Sequence, residues 1–349
     1  MNTSAATLKE IAAAAGCSPR AAAAVLNPSN GTVRVGKATH QRVLDIAQEL
    51  GYRRNEFARA MSIGQSHVIG LLTSESSSET ISRIMGGALD EAVAQGYVTK
   101  ILRLPYDAAP EQVSEGVQLC STWRLDGVVA LGLRQDVLAC FTREIKHSPR
   151  PVAYIESFPE NENAICVSSD DVAGIRAALS HLVSLGHERI ALLSGDVDSS
   201  VSQLRARIFL ATLHEMGLPA DPQYVVLSNW GDVEIIERAA EQLLDLKPRP
   251  TAVLCAADAI AMVTLRLARR RGLALPSQLS VIGYGDSHFA VYADPALTTI
   301  AQPFHDMGRI AVQRLLAHIA ARKAGEATVA SCDVVPEELI IRDSTAAPA

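Results

Sequence analysis

A single glycine between two short helical stretches constrains the start of this chain more than any other feature. Residues 7–27 read Thr-Leu-Lys-Glu-Ile-Ala-Ala-Ala-Ala-Gly-Cys-Ser-Pro-Arg-Ala-Ala-Ala-Ala-Val-Leu-Asn. Thr7 can cap a helix, and Glu10 three residues later completes a capping box. Leu8, Ile11 and Ala12 then share one helical face. Gly16 supplies the left-handed residue that a tight turn needs. Ser18 caps a second helix with Pro19 at its first position, and Val25 and Leu26 close its buried side. Two such helices form a helix-turn-helix, whose second helix enters the DNA major groove. A helical hairpin in a globular core carries the same local signals, so this stretch alone leaves both open.

Charge favours the first. Residues 1–66 hold eight basic and four acidic side chains, a net of four positive; the chain's formal charge is −6, so the remainder carries a net ten negative. A basic head on an acidic body suits a protein whose head touches phosphates. At 349 residues the chain can build about two or three domains. No apolar run is long enough to span a membrane, and Met-Asn-Thr-Ser-Ala-Ala lacks the pattern of a signal peptide. A cytoplasmic location is therefore expected. The six cysteines, at 17, 120, 140, 166, 255 and 332, show no Cys-x-x-Cys pair and read as small buried hydrophobes, not as disulfides or metal ligands. The histidines show no metal-ligand spacing. Nucleophile-elbow, zinc-protease, Walker and dinucleotide-binding motifs are absent, so neither an enzyme nor a cofactor or metal site is expected.

From Val68 the pattern changes to alternating strands and helices. Strands are expected at Val68–Leu72, Val98–Leu104, Gly127–Leu131, Pro151–Ile155, Arg189–Ser194, Tyr224–Leu227, Thr251–Ala256 and Ser280–Gly283, and a closing strand at Leu339–Arg342. Helices are expected between them, and Met85-Gly86-Gly87 in the first reads as close helix–sheet packing. The alternation implies parallel sheets with helices on both faces, and its length implies two α/β lobes around a cleft.

Several motifs resemble the LacI/GalR family of bacterial transcription regulators. In the head these are Thr-Leu-x-x-Ile-Ala from Thr7, the Ala-Gly-x-Ser turn, and Val-Leu-Asn ending at Asn27. Further on come Thr-x-x-Arg-Val (Thr39, Arg42, Val43), Leu50-Gly51-Tyr52 and Asn-x-x-Ala-Arg from Asn55 to Arg59. In the body they include Leu185-Gly186-His187, Leu279 to Tyr284, and Leu-Thr-Thr-Ile-x-Gln-Pro from Leu297 to Pro303. The resemblance implies a helix-turn-helix headpiece over residues 1–53 and a hinge helix and linker over 54–66. Residues 67–349 would form a two-lobed effector and dimerisation domain of the type I periplasmic-binding-protein fold, with the chain crossing between lobes three times. It implies a repressor that binds a pseudo-palindromic double-stranded operator as a homodimer, with affinity set by a small-molecule effector such as a sugar or sugar-like compound. A cleft that has lost its ligand is the alternative. An α/β ligand-binding protein or enzyme with an incidental helical N-terminus is the competing class. No leucine heptads follow Arg342, so no tetramerising tail is expected.

By the same resemblance, DNA contacts fall to Thr7, Ser18, Pro19, Arg20, Ala21, Asn27, Arg34, Lys37, Thr39, Arg42, Arg54, Asn55, Arg59 and Met61. Arg20 can make a bidentate contact to guanine, and Met61 stands where the family places a minor-groove wedge. Effector contacts fall to Asp170, Arg205, Trp230, Asp258 and Asp286. The chain departs from the pattern at Ala21, Ala23 and Ala24, where the family has Thr, Ser and Arg, and at Arg54, where it has proline. It departs again at Ala257 and Gly285 in the cleft, and at Ser74 to Glu79 after the first strand. Alanines keep the recognition helix stable but offer only methyl groups, which shifts specificity toward Arg20, the hinge and DNA shape.

Overall fold

A computed structural model describes residues 6–26, 34–52, 65–74, 78–146, 148, 150–157, 159, 164–328 and 330–349. The chain divides into two compact units, Met1–Ser66 and His67–Ala349.

In the first unit, α1 (Leu8–Ala14), α2 (Pro19–Leu26) and α3 (Lys37–Glu49) surround a small core. The capping box forms as its residue types dictate. Thr7 Oγ1 accepts from Glu10 N at 3.3 Å, and Glu10 Oε2 accepts from Thr7 N at 2.7 Å. Gly16 turns the chain at φ +61°, and Ser18 Oγ accepts from Ala21 N at 3.1 Å to start α2. The core consists of Ile11, Ala12, Ala15, Ala22, Val25, Leu26, Val43 and Ala47. Val43 and Ala47 supply the buried stripe of α3; Leu44 and Leu50, which the spacing also assigns to its packing face, are exposed. Two short neighbours cover only a narrow strip of a third helix.

The second unit holds two six-stranded sheets. The first contains β1 (Val68–Thr73), β2 (Val98–Arg103), β3 (Gly127–Leu131), β4 (Val152–Ile155), β5 (Ile165–Ser169) and β11 (Ser331–Val335), in the order β11-β5-β4-β3-β1-β2, all parallel. The second contains β6 (Ile190–Asp196), β7 (Val225–Ser228), β8 (Ala252–Cys255), β9 (Ser280–Tyr284), β10 (Thr298–Ala301) and β12 (Glu338–Ile340), in the order β12-β10-β9-β8-β6-β7. Only β12 runs antiparallel among these paired strands. The helices are α4 (Glu79–Ala94), α5 (Pro110–Thr122), α6 (Gln135–Ile145), α7 (Asp171–Ser184), α8 (Ser200–Glu215), α9 (Val233–Leu244), α10 (Asp258–Arg270) and α11 (Phe304–Ala324).

The chain passes between the lobes after β5, after β10 and after β11. α11 therefore returns to complete the first core, where Phe304, Met307, Ala311, Val312 and Leu315 pack beside Ile69, Leu71 and Ile155. The closing strand ends at Ile340 rather than Arg342. Arg342 leaves the ladder because its backbone N–H goes to Thr298 Oγ1 and its guanidinium to Leu297 O and Asp286 Oδ1.

α4 and α11 cross on two glycines. A Cβ on Gly87 would lie 1.8 Å from the His305 carbonyl oxygen, and one on Gly308 would lie 2.0 Å from that of Ile84. The glycine pair after Met85 thus serves helix–helix contact, not the helix–sheet packing read from sequence. Both obstructing atoms are backbone and cannot swing aside. Gly308→Ala is expected to destabilise the unit by about 1–3 kcal/mol or more through overpacking. Gly86→Ala, whose Cβ would meet nothing nearer than 3.9 Å, should be neutral or stabilising by up to about 1 kcal/mol. Urea denaturation of the two variants separates these outcomes.

Candidate functional site

The two units carry separate candidate surfaces. In the head, α2 turns Ala22, Val25 and Leu26 inward, which leaves Pro19 and Arg20 on its exposed side. Thr7, Ser18, Arg34, Lys37 and Arg42 are also exposed, whereas Ala21 and Thr39 are half-buried. The exposed set is rich in cations and hydroxyls, which suits phosphate and base edges. Asn27, Arg54, Asn55, Arg59 and Met61 lie outside the described residues.

In the body, the expected effector residues gather at the carboxyl ends of parallel strands, where open α/β sheets bind ligands. Asp170 follows β5, Trp230 follows β7, Asp258 follows β8 and Asp286 follows β9. Arg205 reaches the same edge from α8. Trp230 lies flat over Gly195, where a Cβ would come within 2.4 Å of the indole. Asp170 caps α7, accepting from Ala173 N at 3.0 Å. Asp258 is buried, and its oxygens accept from Thr299 Oγ1 and Ser287 N, each at 2.6 Å. Asp286, at φ +45°, pairs with Arg342 at 2.7 Å.

Arg205 is the centre of a buried polar cluster. Only 4% exposed, it donates from Nε to Asp171 Oδ1 at 2.9 Å and from Nη1 to Ala256 O at 3.0 Å. Its guanidinium carbon stands 3.7 Å from the centre of the Tyr284 ring. Burial works against its charge, but Asp171, Tyr284, Glu337 and Glu156 outweigh burial and hold the proton more firmly than usual. Tyr284 Oη lies 2.6 Å from both Asp171 Oδ1 and Glu337 Oε2. One hydroxyl carries one proton, so the second short contact needs a proton from a carboxyl. Glu337 supplies it. Burial, opposed by Arg205 and reinforced by Asp171, pushes its carboxyl up to about 7. Glu156 is likewise raised by burial and by Asp171. Glu156 Oε1 accepts from Ser169 N and Oγ at 2.8 and 2.7 Å, and Gln302 Nε2 donates to Ser169 Oγ at 2.8 Å. One turn before Arg205, the buried Ser202 hydroxyl has no hydrogen-bond partner among the described residues.

The opposite wall comes from the first lobe. Arg83 of α4 donates to the carbonyls of Gly285 and Asp286 at 3.1 and 3.0 Å, and Glu79 accepts from His288 N at 3.0 Å. Tyr106 Oη donates to Asp196 at 3.2 Å. Glu79 ends the segment that departs from the family pattern, so the departure brings lobe-to-lobe contacts of its own.

Two family descriptions match the chain: bacterial regulatory proteins of the lacI family over residues 7–55, and a periplasmic binding protein-like domain over residues 179–345. The HTH-type transcriptional repressor CytR of Escherichia coli (strain K12) is 32% identical over 345 residues, 98% of this chain and 97% of that protein. The chain belongs to the lacI family. It is a helix-turn-helix transcription regulator with a periplasmic-binding-protein-like body. Among solved structures, the lac repressor dimer bound to operator and the anti-inducer ONPF superimposes with TM-score 0.84 at 25% identity, covering 99% of this chain and 100% of that one. The complex of the transcriptional regulator CelR with cellobiose gives 0.72 at 26% identity, covering 97% and 99%.

Within this lacI-family body, sequence reasoning missed Asp171, Glu337, Glu156, Ser169, Ser202 and Tyr284 as neighbours of Arg205. Asp171 stands beside the expected Asp170, and its position one residue into α7 hides the fact that it faces inward. Glu337 lies between two short strands, and no local signal ties it to a residue 132 positions earlier.

The raised Glu337 carboxyl gives a pH signature. Its folded-state value of about 7 exceeds the ordinary 4.5, so its contribution to stability is complete below 4.5 and is lost as pH rises through 7. The unfolding constant should rise by up to about tenfold per pH unit across that window from this one proton. In Glu337→Gln this component should vanish, as read from urea midpoints between pH 5 and 8.

Proposed function

We propose that this regulator represses transcription by binding a pseudo-palindromic operator as a homodimer, and that a small molecule in the interlobe cleft sets its affinity. Residues 1–53 serve as the DNA-binding headpiece, 54–66 as hinge and linker, and 67–349 as the effector and dimerisation domain. The observation that carries this reading is the exposed Arg20 face of α2, in a head with a net positive charge on a chain with a net negative one. The two-fold symmetry of a dimer presents two such heads to two half-sites. The operator-bound dimer among the similar structures supports the assembly, and the cellobiose complex supports a sugar-like effector. The protein works in the cytoplasm and catalyses no reaction.

Selection from a random duplex pool tests the first part. Enrichment of a pseudo-palindrome is expected. Arg20→Ala should weaken binding to it by roughly 5- to 150-fold and relax specificity at one position per half-site. Equal binding to all sequences, lost as salt rises, would leave only phosphate contact.

Arg205, Asp170, Trp230, Asp258 and Asp286 are assigned to the effector, together with Ser202. The burial of Arg205 and the saturation of Asp258 favour a second reading, in which the cleft has no ligand. A thermal-shift screen with sugars, nucleosides and organic acids distinguishes them. A ligand at a hundred times its Kd stabilises by about 2.7 kcal/mol, and a clear rise in Tm is expected; no rise across the panel would favour the second reading.

A further inference from the structure

Two of the cysteines that read as scattered in the sequence are brought level with each other. β11 pairs with β5 in parallel, and in that register Cys332 stands directly beside Cys166. Neighbouring strands run about 4.8 Å apart. The Cα separation that a disulfide bridges is roughly 4.4–6.8 Å. The two side chains also share a face. Ile165 and Val167 belong to the core against α11, whereas Cys166 belongs to the opposite core with Val128 and Tyr154. On β11, Asp333 is held by Arg314 of α11 at 2.6 and 2.8 Å, which turns Cys332 to the other side, toward Cys166. Access is unequal. Cys332 is exposed on the edge strand, and Cys166 is 9% exposed behind it.

We propose that Cys166 and Cys332 are a reversible thiol–disulfide site, closed by a peroxide. The Cys332 thiolate attacks one peroxide oxygen, breaking the O–O bond to give a sulfenic acid and releasing the first water. The Cys166 thiolate then attacks the Cys332 sulfur. The S–S bond forms, the S–O bond breaks, and the hydroxide leaves as the second water. Two thiols are oxidised, one peroxide is reduced, and both thiol protons end in water. A small dithiol reverses the change. Burial, with Cys332 nearby, pushes the Cys166 thiol up to about 11, so closure follows the first oxidation slowly and speeds up at higher pH.

The test uses the reduced full-length protein treated with hydrogen peroxide, denatured, alkylated, digested and read by mass spectrometry. The expected result is a peptide pair joined through Cys166 and Cys332, loss of two of the six free thiols, and their return with dithiothreitol. Cys332→Ser, a change at an exposed position, should fold normally and keep its remaining five thiols under the same exposure. The proposal is overturned if Cys332 is recovered as sulfinic acid or joined to a second molecule while Cys166 remains a free thiol. It is equally overturned if Cys332→Ser loses a pair of thiols as readily as the parent.

Discussion

The pairing of Arg205 with Asp171 sets the terms for the middle of the body. Removing a guanidinium from water costs several kcal/mol unless its donors are met, and leaving such a charge without its partner costs about 3–5 kcal/mol. The residues around Arg205 therefore have to be acidic or polar. They are Asp171 at the head of α7, Tyr284 at the end of β9, Ala256 O after β8, and Glu337 on the last crossover. None of these is close to another in sequence. The requirement to satisfy one buried cation thus binds two strand ends, two helices and a crossover into one arrangement, and the burial this entails raises the Glu337 carboxyl to about 7. In such a cluster a small change in one partner is felt by all.

The head follows a different logic. Its three helices depend on local devices: a capping box, a left-handed glycine and a serine cap. Each stabilises by about 1 kcal/mol, and together they suffice for a core made largely of alanine and valine side chains. Alanine at 22 lets α2 sit close to its neighbours, and alanines at 23 and 24 cost the helix nothing. The head has a short list of polar groups to offer DNA, and Arg20 stands out on it.

This difference explains what could be read from the sequence. The caps and Gly16 were legible because they act within four residues. The strand–helix alternation of the body was legible for the same reason. α11 was not assigned, although Phe304, Met307, Ala311, Val312 and Leu315 keep helical spacing. β5, β10 and β11 were missed because Ile-Cys-Val-Ser-Ser, Thr-Thr-Ile-Ala and Ser-Cys-Asp-Val-Val mix polar with apolar residues and lack the continuous apolar run that marked β3 and β4. The candidate site was half legible. Trp230, Asp258 and Asp286 follow strands that the sequence reveals, whereas Asp170 follows β5, which it does not. That Asp258 and Asp286 already have partners in Thr299, Ser287 and Arg342 is a fact of tertiary structure. So is the level pairing of Cys166 with Cys332, and the exposure of Cys332 corrects the expectation that every cysteine is buried.

The three crossovers bear on how this chain is made. A ribosome releases β1 to β5 first, but the apolar face of that sheet is completed by α11, which emerges after the whole of β6 to β10. The first lobe must wait, with Ile69, Leu71 and Val129 sharing that face with α4 but not yet with α11, until the second lobe's strands have left the tunnel. The second lobe waits in turn for β12 to cover the edge of β10. Neither half can finish before the other, so the body matures as one interleaved event near the end of synthesis.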